Sequence, residues 1–186
     1  MEFINDPEVG RVYGLEFELR KELGKGGMPF KNLFIGTNLL LAYSRIKKNP
    51  DRIEKSRIID RVSPETSPLF EQAPYSINAY LDYDNPKTAT NVTLSFNMVG
   101  ERLVQVQLDG SPDIYDRPVP IMDFVFSQHF WKRFTVKGFA KNILNPAYRE
   151  VYASPSNGGK FKGQTYIHHQ YNRGIEVLLG LTYNLF

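Results

Sequence analysis

Cysteine is absent from the 186 residues, which excludes a disulfide framework, a thiolate nucleophile and a thiolate metal site. That absence suits a reducing cytosol and many bacterial envelope proteins alike. Histidine numbers only three. His168 and His169 are adjacent, so in a strand they would point to opposite faces and could not chelate one ion together; His129 falls in a short-turn segment. No G-x-S-x-G elbow and no P-loop occur, and GKGG at 24 to 27 reads as a tight turn. Neither an enzymatic reaction nor a cofactor nor a bound metal is expected. Long apolar runs are missing too: LLLA at 39 to 42 and VLLGL at 177 to 181 fall far short of the roughly 20 residues of a membrane helix. The stretch after Met1, EFINDPEVGR, has no basic start, apolar core or cleavage site, so no secretory signal is expected in it. A net charge of +3 is too small to imply a nucleic-acid partner.

What is present is period two. In YGLEFELR, Tyr13, Leu15, Phe17 and Leu19 alternate with Gly14, Glu16, Glu18 and Arg20. LFIGTNLLLAY, YSINAYLDY and VTLSFNM repeat the pattern, with Leu33 to Tyr43, Tyr75 to Tyr83 and Val92 to Met98 as their apolar stripes. MDFVFSQ and FTVKGFAK are less regular, and Ile175, Val177, Leu179, Leu181, Tyr183 and Leu185 form a closing stripe. Alternation of this kind argues for strands, and seven are expected.

Their connections alternate in length. Short links at 24 to 29, 84 to 88 and 129 to 133 follow the first, third and fifth strands; long links at about 46 to 74, 103 to 118 and 145 to 170 follow the others. In an up-and-down antiparallel sheet all short turns then fall on one rim and all long links on the other, the asymmetry of an outer-membrane barrel.

Alternation alone leaves the wet face open, because a soluble sandwich or a soluble ligand-binding barrel buries the same stripe. Two features favour a membrane wall. Tyr13, Tyr43, Tyr75, Tyr83 and Tyr183 sit near the ends of the apolar stripes, where an interface favours amphipathic rings. The alternate positions collect Glu16, Glu18, Arg20, Asp82, Asp123, Lys137, Lys141 and Glu176, which suits a water-filled lumen whose charges compensate one another. These eight are the candidates for guiding a polar substrate or contacting a plug. A small passive porin or structural barrel is the other membrane reading; an odd strand number counts against it.

Four stretches together resemble the C-terminal barrel region of a TonB-dependent outer-membrane receptor of the Bacteroidetes-like kind. They are VYGLEFELRKEL at 12 to 23, APYSINAYLDYDNPKTATNVTLSFNMVGER at 73 to 102, FTVKGFAKNILNPAYREV at 134 to 151 and RGIEVLLGLTYNLF at 173 to 186. Asn142, Asn145 and Tyr148 match that family's strand-exit motif, and Tyr183 and Phe186 its terminal assembly signal. The resemblance implies that residues 1 to 186 are the last seven or so strands of a 22-stranded transmembrane barrel in a Gram-negative outer membrane. It further implies a plug domain and earlier strands beyond these residues, active import of a scarce ligand, energy relayed by TonB, and recognition by the barrel-assembly machinery.

The segment 45 to 61 holds seven basic residues against three acidic ones and reads as a solvated, mobile loop. Arg45, Lys47 and Lys48 within it are candidates for contact with lipopolysaccharide phosphates. Asp109, Asp113 and Asp116 could in principle favour calcium, although flexible acidic loops are far commoner than sites.

Overall fold

The computed structural model describes residues 8–24, 31–131, 133–152 and 166–185. The glycine turn at 25–29 and Phe186 lie outside them.

The seven alternating segments become seven long antiparallel strands: β1 (Arg11–Glu22), β2 (Leu33–Lys47), β4 (Tyr75–Asn85), β5 (Thr90–Val99), β8 (Val119–Phe130), β9 (Phe134–Lys141) and β12 (Glu176–Tyr183). Their spatial order is β1-β2-β4-β5-β8-β9-β12, with the two-residue β3 (Thr66–Ser67) paired to the end of β2. Each strand therefore lies beside the next long strand in sequence. Among the described residues the sheet is open: β1 pairs only with β2, and β12 only with β9.

Register carries the alternation across the whole sheet. One row runs Leu19, Thr37, Ala79, Phe96, Met122; another runs Val92, Phe126, Gly138, Leu179. These rows make one face apolar from edge to edge. A slip of one residue in any pair would put polar side chains into it. The described residues do not cover this face: Phe17 is 55% exposed and Leu179 is 74% exposed.

The long links fold into a second structure at their rim. Four short strands, β6 (Arg102–Gln105), β7 (Ile114–Asp116), β10 (Ala147–Tyr152) and β11 (Tyr166–Asn172), form a sheet in the order β11-β10-β7-β6. Leu103, Ile114 and Val151 pack at its centre and are the only hydrophobic residues fully buried among the described residues. The apolar mass of the protein is thus outside, and its small closed core is at one rim.

The first long link was expected to be a mobile loop and is instead ordered around a helix, α1 (Pro50–Ile59). Asn49 caps it, its side chain accepting from the Asp51 amide at 2.9 Å, and Pro50 supplies the preset φ of a first helical residue. Arg52 reaches from α1 to the Asp113 carboxylate, and Arg57 pairs with Glu65 at 2.9 Å. Much of the charge in 45 to 61 is therefore tied down.

Candidate functional site

All eight charged positions singled out from the alternation share one face of the long sheet. Glu18, Asn38, Asn78 and Asn97 are in register across four strands. Lys137 lies between Ser127 and Gly180, and Lys141 opposite Glu176. The face is knit by side-chain hydrogen bonds. Asn38 donates to Glu16 at 2.6 Å, Thr93 to Asp82 at 2.6 Å, and Asn97 to Asn78 at 2.5 Å. Lys141 Nζ stands 4.7 Å from the Phe139 ring centre. Tyr80 lies across Gly36, where an added Cβ would come within 2.2 Å of the ring; only glycine allows that approach.

The compensated charge expected of this face is not present as ion pairs among the described residues. Glu16 takes its hydrogen bond from Asn38 rather than from Arg20. Glu16 and Arg20 are about 13 Å apart along the strand, whereas Lys141, directly opposite Glu176, lies over the Phe139 ring instead. Ion pairs gather at the rim: Arg52–Asp113, Arg57–Glu65, Arg102–Asp116 and Arg117–Glu101, with His168 4.0 Å from Glu150.

Asn142, Asn145 and Tyr148 build the corner where β9 leaves the long sheet and β12 re-enters it. Both asparagines have positive φ, 55° and 42°, a conformation Asn tolerates better than most residues. The Asn142 amide NH donates to Asp123 at 2.8 Å and its side chain to the Gly174 carbonyl at 2.7 Å. Asn145 accepts from the Gly174 amide at 3.1 Å, and Asn172 donates to the Asn145 carbonyl at 2.9 Å. Tyr148 stacks on Tyr171 with ring centres 5.2 Å apart and planes 10° from parallel. Asn142 and Asn145 thus act as one clamp with the Tyr148–Tyr171 stack beside it, and Asp123, placed on the polar face by alternation, is part of it.

Aromatic rings mark both ends of the apolar face. Tyr13 is directly opposite Tyr43, and Tyr75 opposite Leu41, at the long-link rim. At the short-turn rim Tyr183 packs on Phe134 at 4.8 Å, Phe134 on Trp131 at 6.2 Å and Trp131 on Phe130 at 6.3 Å. Tyr83 completes that end.

The three basic residues proposed for lipid phosphate separate. Arg45 and Lys47 follow Tyr43 at two-residue spacing in β2, on the apolar side, and Arg45 faces Arg11 across the pair. Lys48, by contrast, is 7% exposed. It lies near Asp113 and Arg52, and burial lowers its pKa while Asp113 pulls it up. Lys48 therefore cannot reach a lipid headgroup, because neighbours in an extended chain point to opposite sides. Arg11 takes its place in the basic group on that side, and it was missed because the alternation was read only from Tyr13 onward.

The acidic trio also separates, each carboxylate having its own partner. Asp113 accepts from Arg52 and from the Gln107 amide at 2.9 Å. Asp116 pairs with Arg102 at 2.8 Å. Asp109 accepts from the Ser111 amide at 2.9 Å and hydroxyl, which lower its pKa. His168 and His169 lie in β11, where the Tyr152 hydroxyl meets His168 Nδ1 at 2.9 Å and His169 packs against Tyr171. His129 Nδ1 sits 2.8 Å from the Thr135 hydroxyl.

The rim also gathers Arg102, Arg117, Arg149 and Arg173 around one cleft. Sequence reasoning did not group them, since each is a single arginine beside a different strand end, brought together only by the topology.

No family model, curated protein or solved structure matches the chain.

Proposed function

We propose that the chain is the C-terminal wall of a TonB-dependent outer-membrane receptor. In this reading β1, β2, β4, β5, β8, β9 and β12 cross the outer membrane, and the rim sheet with α1 is part of the extracellular ligand surface. One observation carries the proposal: an antiparallel meander with a bare apolar face, a hydrogen-bonded polar face, and the fully buried hydrophobic residues of the described chain gathered in the long links. Water does not tolerate so large an apolar patch on a free monomer, whereas lipid solvates it. Tyr75 and Tyr83 are separated by about 27 Å along β4, close to the roughly 25 Å apolar band of such barrels before strand tilt is counted.

Both unpaired edges call for further strands, because an open sheet edge in lipid leaves backbone groups unsatisfied. The receptor reading supplies them, together with a plug, from the earlier part of the wall. Arg11, Arg45 and Lys47, outward and just beyond Tyr13 and Tyr43, would meet lipopolysaccharide phosphates. The exposed apolar face counts against a soluble ligand-binding barrel, and the odd number of long strands against a small passive porin.

Reading the gene upstream of the Met1 codon tests the receptor assignment. An in-frame continuation encoding a plug domain supports it. A stop codon closely followed by a ribosome-binding site contradicts it.

A further inference from the structure

The charges around the rim cleft are unbalanced. Its walls enclose about 220 Å³ and bring Arg102, Arg117, Arg149 and Arg173 together with a single carboxylate, Asp116. Asp116 pairs with Arg102 at 2.8 Å, and Glu101 pairs with Arg117. The other two arginines have neutral partners. Arg149 Nε donates to Gln170 at 2.9 Å. Arg173 lies 4.1 Å from the Tyr148 ring centre, and the Tyr171 hydroxyl beside it favours its charged form. Neither has a carboxylate partner among the described residues.

These neutral contacts orient two guanidinium groups without cancelling their charge. A guanidinium held on one side presents its remaining N–H groups as a fork that matches a carboxylate or a phosphate. Arg102 and Arg117 already have carboxylates, so Arg149 and Arg173 carry the uncompensated charge of the cleft, and an anion between them relieves their repulsion. The stacked pair Tyr148 and Tyr171 adds a flat amphipathic platform beside the fork.

We propose that this cleft binds a soluble ligand bearing carboxylate or phosphate groups, with Arg149 and Arg173 as its charge-neutralising contacts. A second, adjoining cleft shares Ile121, Tyr148 and Arg173 but sets Lys141 beside the carboxylates Asp123 and Glu176, so the uncompensated positive charge stays in the first cleft. The cleft is lined by Asn97 and Ile121 of the polar face, opposite the apolar side. That placement favours a ligand arriving from water over a lipid headgroup. The direction of arrival rests on the membrane-wall reading, whereas the chemistry of the site does not.

The test is calorimetric titration of the full chain in detergent micelles with citrate and, separately, with inorganic pyrophosphate. Saturable binding of at least one is expected. R149Q and R173Q should each weaken it by at least about tenfold, the loss of one charge-assisted fork. K87Q, which removes an exposed charge in the opposite-rim turn, should leave it within about twofold. No saturable binding, or an equal loss in K87Q, overturns the proposal. Competition by vesicles containing lipopolysaccharide, with none by plain phosphatidylcholine vesicles, would assign the cleft to lipid phosphate and overturn the soluble-ligand assignment. R149Q alone keeps the test valid if R173Q disturbs the Tyr148 corner. A chain that enters vesicles but binds neither anion defeats this site and spares the wall reading; one that binds an anion while staying monodisperse without detergent does the reverse.

Discussion

The Thr93 hydroxyl donates to the Asp82 carboxylate at 2.6 Å across the β4–β5 pair. Leu94 and Leu81, the next residues along the same two strands, face each other on the opposite side, more than a third exposed. Polar groups are satisfied on one face while apolar groups are bare on the other, the reverse of a water-soluble sheet packed on a core.

Leu179 at the middle of β12's apolar stripe should report the solvent of that face. In lipid, Leu179→Arg is expected to destabilise the folded chain by about 2–4 kcal/mol. At an exposed position in water the same change is expected to stay within about 0.5 kcal/mol. Urea unfolding in vesicles, compared with Lys137→Gln on the other face, measures the difference.

The corner clamp predicts an order of variants at Asn142. Asn142→Gly keeps access to φ of 55° and loses the bond to Gly174, whereas Asn142→Ala loses both. Alanine should therefore be the more destabilising, by about 1 kcal/mol or more over glycine. Thermal unfolding of the two variants side by side checks the ranking; glycine falling below alanine would contradict it.

Arg52 and Asp113 have side chains only 11% and 8% exposed. Asp113→Ala leaves Arg52 and the nearby Lys48 without their anion and should cost about 3–5 kcal/mol in the rim sheet. Replacing both partners by leucine should recover much of that loss. Hydrogen exchange at the β6 and β7 amides reads the local stability directly.

Burial, with the Asp113 and Glu101 charges behind it, pushes the Tyr115 hydroxyl up from 10.0 to about 12. Its folded pKa is raised, so its contribution is fully present below pH 10 and is lost as pH climbs from 10 to about 12. Lys48, with a lowered pKa, acts in the opposite sense: as it loses its proton below 10.5 the cost of burying its charge disappears. The alkaline loss should therefore be sharpest in Lys48→Met and absent in Tyr115→Phe. Urea unfolding of both variants, repeated across that alkaline range, gives both curves.

The long sheet was legible because period two is local. Leu15, Phe17 and Leu19 declare a face without knowledge of their partners, and unequal links order the strands once neighbours are assumed to pair. The rim sheet was not legible. β6, β7 and β10 span only three to six residues, too short to show a period, and the β7–β10 pairing joins two different long links. Helix α1 did carry a readable start in Asn49-Pro50-Asp51, outweighed by the density of charge after it. Lys48 was misplaced because it was grouped with Lys47 by composition, when adjacency in an extended chain separates the two. The arginine cleft needed the topology, since nothing local links Arg102 to Arg173.

The most direct measurement is the depth of each face in a bilayer. Trp131→Phe is combined in turn with Phe96→Trp, on the apolar face, and with Ser95→Trp, its polar-face neighbour, and each chain is refolded into vesicles of lipids brominated on their acyl chains. Strong quenching of the tryptophan at 96 with weak quenching at 95 is the predicted result. Equal quenching at both positions, or a chain that stays water-soluble and monodisperse without lipid, would contradict the account.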